Sequence, residues 1–407
     1  MTVHPTTPPI VVLGAGPAGM ACALSLHTAG HPVTLLERYR EARPAGNILN
    51  LWPPALKALQ AMGVDITDLG APNHTTFRNA KNRVRADVRI PPHVTEQFGG
   101  GFIGLLRPDL YRRMLGSLPD GMLRTSQEVT AIADRGDDVV LTLASGERIS
   151  TPVLIGADGI DSGVRTHLWG DSPKREHRLH VIGGYTFEPV AQAQWGELPL
   201  IHTGTVQGTY SSIRSDDRIG YQWWVLEAWD PRTPAPADLL AHATKLAAPF
   251  PGALPALVAA TSPENLQRWP IRDRKPLKQW SKGRITLAGD AAHPTSPYAA
   301  YGAGMSISDG YFLGQSLAGV DLTDTPTVVG SLQGYEARRL THTTGQVQQA
   351  YILGKVFHHT PGPLRPLRDL ILDHTPLLQK QVGERSPGEI IAQLDGMGDG
   401  ILHPQMR

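Results

Sequence analysis

The residues whose spacing most plainly implies chemistry stand near the start of the chain. Gly14-Ala15-Gly16-Pro17-Ala18-Gly19 follows the apolar run Ile10-Val11-Val12-Leu13 and opens an Ala- and Leu-rich stretch from Met20 to Ala29. Glycines at this spacing, between a strand and a helix, make a phosphate cradle. Gly14 allows the tight turn, Gly16 lets backbone approach a pyrophosphate, and Gly19 permits close packing of helix on sheet. The helix N-terminus, with Pro17 and Ala18 in its first turn, adds free N–H groups and a partial positive charge. Glu37 ends the next apolar run, Val33-Thr34-Leu35-Leu36, where a carboxylate accepts hydrogen bonds from an adenosine ribose. It also repels a 2′-phosphate, an effect that the adjacent Arg38 partly offsets. The dinucleotide held here is therefore expected to be FAD or NAD rather than NADP.

A motif of this kind needs a parallel sheet beneath it. The first strand, helix and second strand read as one βαβ unit, with Gly30 as the helix C-terminal cap. Val139 to Leu143 and the nearby Gly146 read as a strand turning into another, and Val153 to Gly159 as a buried strand ending in a turn. From 177 to 275 the texture changes, and Tyr185, Phe187, Tyr210, Tyr221, Trp223, Trp224 and Trp229 occur in alternating stretches typical of an antiparallel sheet. Ser215-Asp216-Asp217-Arg218 reads as a hairpin turn. Parallel-strand character returns at Arg284 to Asp290, a helix runs from near Gly304 through Leu317, and a helical tail is broken by Pro361, Pro363 and Pro366. The expected architecture is α/β. A Rossmann-like domain is assembled from residues 1–72, 98–176 and 277–340. An antiparallel-sheet substrate domain is inserted as residues 73–97 and 177–276, and residues 341–407 form a helical C-terminal segment.

Composition narrows the partners. The 407 residues are 41% hydrophobic and 18% charged, which suits a sizeable core. Lys plus Arg number 38 against 37 Asp plus Glu, too even a balance for a nucleic-acid partner. No apolar run approaches the roughly 18 residues of a transmembrane helix, and MTVHPTTPP lacks the basic start of a signal peptide. A soluble, cytoplasmic chain without a membrane partner is expected, as monomer or homodimer. The single cysteine, Cys22, excludes an intramolecular disulfide and reads as a core residue. The 16 histidines show no metal-binding spacing, so no metal is expected, and His358-His359 reads as surface or packing.

Two further segments separate FAD from NAD. Ile155-Gly156-Ala157-Asp158-Gly159, with Ser162, Val164 and Arg165, and Gly289-Asp290-Ala291-Ala292-His293-Pro294 join the glycine motif. Together they resemble the three fingerprints of the single-component FAD-dependent aromatic hydroxylases, the class A flavoprotein monooxygenases of para-hydroxybenzoate and salicylate hydroxylase type. Trp269-Pro270-Ile271-Arg272-Asp273-Arg274 is similar to the salicylate and hydroxynicotinate branch, and Arg107-Pro108-Asp109-Leu110 to the family's Arg-x-x-Leu helix start. The resemblance covers about residues 8 to 350.

The resemblance implies bound FAD, transient NADPH or NADH as electron donor, dioxygen as co-substrate, and a small aromatic substrate hydroxylated through a flavin C4a-hydroperoxide. It puts Asp290 on the ribityl chain and Arg107 on the ribityl–phosphate region. Gly46 falls beside the flavin, and Asp158 and Arg165 shape the groove where FAD and the nicotinamide meet. Pro297 lies over the ring face, and Gly302, Ala303 and Gly304 present amides to the N1–C2=O edge. His293 is structural. The chain departs from the family where Ala300-Tyr301-Gly302-Ala303-Gly304 replaces Gly-Gln-Gly-x-Asn, and Asn50 stands where the hydroxynicotinate branch has a histidine. No catalytic base is nominated. For substrate contact the candidates are Asn50, Pro297, Tyr210, Tyr221 and Trp223, the last two on one face of their strand. A halogenase or prenyl-reductase relative shares the first motif, though the halogenase signature is absent. A tetracycline-type polyketide-oxidising monooxygenase, or a non-catalytic flavin- or ligand-binding relative, remains an alternative.

Overall fold

The computed structural model describes residues 8–43, 46–299, 301–398 and 400. Five parallel strands form the first sheet, in the order Ile285–Leu287, Leu154–Gly156, Ile10–Leu13, Val33–Leu36 and Leu123–Arg124. The near-continuous burial of the first four matches runs of apolar residues covered on both faces, while the edge strand Leu123–Arg124 is half-buried. The helix Pro17–Thr28 packs across this sheet against Gly302–Leu317. A Cβ at Gly310 would lie 2.4 Å from the backbone of Ala21, and one at Gly314 would lie 2.2 Å from Ser25 Oγ, so only glycine permits that approach. Val129–Asp134, Val139–Leu143 and Arg148–Thr151 form a small antiparallel sheet.

The inserted sheet has ten strands and is mixed, where the sequence pattern predicts an antiparallel one. Most neighbours are antiparallel, but Glu197–Thr203 runs parallel to His74–Asn79 because the two strands come from distant segments rather than one hairpin. The sheet also takes in Ile48–Leu51 and Ile103–Leu106, which lie outside segments 73–97 and 177–276. The hairpin at Ser215–Arg218 forms as its turn residues predict, with Asp216 at φ 51°. The 340/341 boundary falls inside one helix, Thr325–His358, which runs on until the proline-bearing segment that begins at Pro361. Shorter helices, Arg365–His374 and Arg385–Gly396, complete the C-terminal part. Among the described residues no helix is long and apolar enough to cross a membrane.

The two faces of the large sheet have different fates. Ile182, Tyr210, Trp223 and Val225 pack beneath Leu239–Ala247 and Leu254–Ala259 in a separate core. On the opposite face, Thr75, Phe77, Leu198, Leu200, Gln207, Trp224 and Leu226 look into a cavity shared with the parallel-sheet domain. Register makes this assignment unambiguous, since directly paired residues point the same way: Thr75 opposes Leu198, Gln207 opposes Leu226, and Tyr210 opposes Trp223.

Candidate active site

The glycine turn is built as the sequence implies. Gly14 has φ 98°, and a Cβ there would lie 2.6 Å from the Ala157 carbonyl oxygen. At Gly19 a Cβ would meet the Gly14 carbonyl oxygen at 1.7 Å. Gly16 is different: beyond its chain neighbours, the nearest atom to its would-be Cβ is the Tyr111 hydroxyl at 3.9 Å, so the backbone faces open space. Buried Glu37 accepts from the Ala15 N–H at 2.8 Å and the Tyr39 N–H at 2.9 Å, one per carboxylate oxygen. Each oxygen keeps a lone pair for a ribose hydroxyl. Arg38 is exposed and lies over the Tyr39 ring.

Beyond this turn opens a cavity of about 1060 Å³, at the upper end of the range for small-molecule sites. Of the residues expected to hold cofactor, Pro17, Gly46, Arg107, Asp290, Pro297, Gly302 and Ala303 line it, and so does Asn50. Gly304 is buried behind it, in the first turn of the helix Gly302–Leu317. No side chain caps that helix, so its first amides, those of Gly302 and Ala303, face the cavity as available donors. Ala300 lies outside the described residues.

Asp290 occupies a short 3₁₀ turn, Gly289–Ala291, and is not a helix N-cap. Its accessible surface faces the cavity while protein surrounds it elsewhere, and this burial raises its pKa, against the opposing pull of His293 and Arg107. The carboxylate makes no hydrogen bond to a described residue, which leaves it to a ligand.

The turn that carries Asp290 is anchored by a residue the sequence did not single out. Fully buried Asp309 accepts from the Gly289 N–H at 2.8 Å, contacts His293 Nε2 at 2.5 Å, and accepts from Arg339 Nε at 2.8 Å. Burial alone would raise its pKa, but His293 and Arg339 win and hold it at about 2. The available signal was a lone acid inside an otherwise apolar and glycine-rich helix. Arg165, buried rather than solvated, donates to the carbonyls of Ala291, Ala292 and Lys275 and so staples the same turn from below. Burial and nearby Arg274 lower its pKa to about 10.

Asp158 does not line the cavity. Its Oδ2 accepts from the amides of Gly163 and Val164, capping the helix Gly163–Trp169, and burial raises its pKa.

Three aromatic candidates require correction. Tyr210, Tyr221 and Trp223 face the helices on the far side of the sheet, where the Trp223 indole donates to Thr261 Oγ1 at 2.8 Å. Trp224, one residue along, presents the opposite face to the cavity. Trp224→Ala should therefore weaken aromatic ligand binding about tenfold with little change in melting temperature. Tyr221→Phe should leave the same binding constant unchanged, and a loss there would contradict the register.

The cavity is completed by Trp52, Phe102, Tyr298 and Tyr301. The Tyr298 hydroxyl contacts His202 Nε2 at 2.8 Å, and the His202 ring stacks on Phe357. Burial pushes the His202 pKa well below its ordinary value and that of Tyr298 well above. Asn50 is held by its carbonyl, which accepts from Gln222 Nε2 at 2.9 Å. Buried Gln222 also brackets Leu49, accepting from its N–H and donating to its carbonyl. His358, buried, contacts the Thr205 carbonyl and is a packing residue.

On the outer face His180, Glu227 and His242 bring three ligand-type atoms together. Arg268 Nε donates to His180 Nδ1 at 2.6 Å, which directs the Nε2 proton toward Glu227. A metal-bound imidazole has the reverse polarity, so this cluster reads as a hydrogen-bonded network.

Against known proteins, the FAD binding domain family matches residues 7–350. The 3-amino-4-hydroxybenzoate 2-monooxygenase PtmB3 of Streptomyces platensis is 30% identical over 382 residues, covering 89% of this chain and 91% of that protein. The 3-hydroxybenzoate 6-hydroxylase of Klebsiella oxytoca is 29% identical, with coverage of 89% and 91%. Among solved structures, Klebsiella pneumoniae HpxO complexed with FAD and uric acid superposes with a TM-score of 0.80 at 20% identity, covering 98% of this chain and all of that one.

Proposed function

The chain belongs to the family of class A flavoprotein monooxygenases built on this FAD-binding domain, and we propose that it uses NADPH or NADH with dioxygen to hydroxylate an electron-rich aromatic small molecule. It is an FAD-dependent hydroxylase of aromatic compounds. The observation that carries the finer reading is a single cavity running from the dinucleotide turn to an aromatic-walled sheet face.

The residues fit FAD on physical grounds: an open backbone at Gly16, a carboxylate at Asp290 with no hydrogen-bond partner among the described residues, and an uncapped helix start at Gly302. Bound FAD supplies electron transfer and the activation of dioxygen. Glu37 would hold the adenosine ribose, Asp290 the ribityl hydroxyls, and Arg107 the adjoining phosphate. The amides of Gly302 and Ala303 would stabilise negative charge developing at the ring edge, as oriented donors do for any oxyanion. These are backbone groups, so the replacement of Asn and Gln in this segment removes none of them. Pro297 would close one side of the ring. Tyr298, its hydroxyl fixed by His202, orients a substrate hydroxyl or carbonyl. Trp224, Phe77 and Trp52, which line the cavity, would give an aromatic substrate its apolar wall and exclude water.

The test is anaerobic reduction of the FAD-loaded protein by NADH and by NADPH, alone and with phenolic and polycyclic aromatics. Acceleration by an aromatic compound is expected. Protein that holds no flavin, or flavin that neither nicotinamide reduces under any condition, would sink the reading in favour of a binding role.

A further inference from the structure

We infer that the substrate is a neutral aromatic carrying hydrogen-bonding groups such as hydroxyl, carbonyl or amide, and that no carboxylate of the substrate is bound in the cavity. The inference rests on the hydroxylase reading above and concerns the substrate half of the same site.

The charged side chains that touch the cavity sort away from that half. Arg107 and Asp290 belong to the dinucleotide side, where both act on Tyr111 beside Gly16. Lys174 is paired with Asp161 at 2.6 Å and Arg272 with Glu176 at 2.8 Å. Arg268 opposes Ile182, which puts it on the outer face with Trp229 and His180. The inner face and its helical roof, among the described residues, present neutral groups alone.

Several of those neutral groups lack partners. Gln207 is 3% exposed, lines the cavity, and its amide makes no hydrogen bond to a described residue. Thr75, Thr295 and Tyr301 also line it, and their hydroxyl oxygens are buried behind its surface without a hydrogen-bond partner among the described residues. Unmade bonds at buried polar atoms are costly, and a ligand bearing complementary neutral groups recovers them. A carboxylate on the same face would lose its hydration with no cation to replace it. Gln207 offers an NH₂ donor group and a carbonyl acceptor together, the complement of an amide or of adjacent hydroxyl and carbonyl groups. It is the residue to which we assign selection of the neutral form.

The experiment uses FAD-loaded protein titrated with matched pairs, 3-hydroxybenzamide against 3-hydroxybenzoate and 1-hydroxy-2-naphthamide against 1-hydroxy-2-naphthoate, read as perturbation of the flavin absorbance. The amide of each pair should bind at least about tenfold tighter, a difference of one decade in Kd. Gln207→Leu should weaken the amides without improving the acids, and Gln207→Arg should invert the preference. Acids that bind as well as amides, or a full panel in which neither member binds, overturn the inference. The two readings fail separately. Reduction by NAD(P)H accelerated best by an acid leaves the hydroxylase and removes the neutral substrate. Flavin that no nicotinamide reduces removes the hydroxylase, while the titration still decides the charge preference.

Discussion

Asp309→Ala is expected to lower the unfolding free energy by about 3–5 kcal/mol, because it leaves the Arg339 guanidinium buried without its counter-ion. The same change releases the Gly289 amide, so the turn carrying Asp290 should loosen and FAD should dissociate more readily. Chemical denaturation and flavin release on dilution measure the two effects. Asp309→Asn separates charge from shape. The folded pKa of about 2 lies below the unfolded value of 3.8, so the carboxylate's contribution is complete above about pH 4 and is lost as pH falls through 2. A shift of that size corresponds to roughly 2–3 kcal/mol. The stability deficit of Asp309→Asn should therefore shrink between pH 4 and pH 2. An equal deficit at pH 6 and pH 2 would refute the ion-pair account.

The second large effect concerns binding with the fold intact. Gly16 has an ordinary φ of −76°, and a Cβ there meets nothing closer than 3.9 Å beyond its chain neighbours. Gly16→Val should fold with a near-native melting temperature yet bind FAD at least about a hundredfold more weakly, since its side chain fills the approach to the pyrophosphate. Gly19→Val is the contrasting case. Its Cβ would overlap the Gly14 carbonyl, so it should fail to accumulate as folded protein. Tight flavin retention by Gly16→Val would show that the phosphates lie elsewhere.

Much of the cofactor half was legible because it is local. Gly14, Gly16 and Gly19 act through neighbours within one turn, and the strand before and helix after them announce themselves by composition. The turns at Asp158 and Asp290 follow buried strands for the same reason. What Asp290 leans on was not legible: Asp309, His293 and Arg339 are brought together only when the helices Gly302–Leu317 and Thr325–His358 pack side by side.

The substrate half shows the limit most clearly. Alternation in Tyr221-Gln222-Trp223-Trp224-Val225-Leu226 establishes that Tyr221, Trp223 and Val225 share a face, and the register agrees. Both faces carry a tryptophan, so hydrophobicity cannot say which one meets the cofactor domain. That choice is made by Leu239–Ala247 and Leu254–Ala259, whose apolar sides cover Trp223 and Tyr210 and leave Trp224 to the cavity. The dinucleotide turn and the pleated aromatic strands were readable from the chain because each depends on residues a few positions apart, whereas FAD rather than NAD was implied by the resemblance of three separated segments to one family. The tertiary structure alone decided which aromatic ring faces the cavity and that its surroundings are neutral, because those depend on which distant helix reaches each face first.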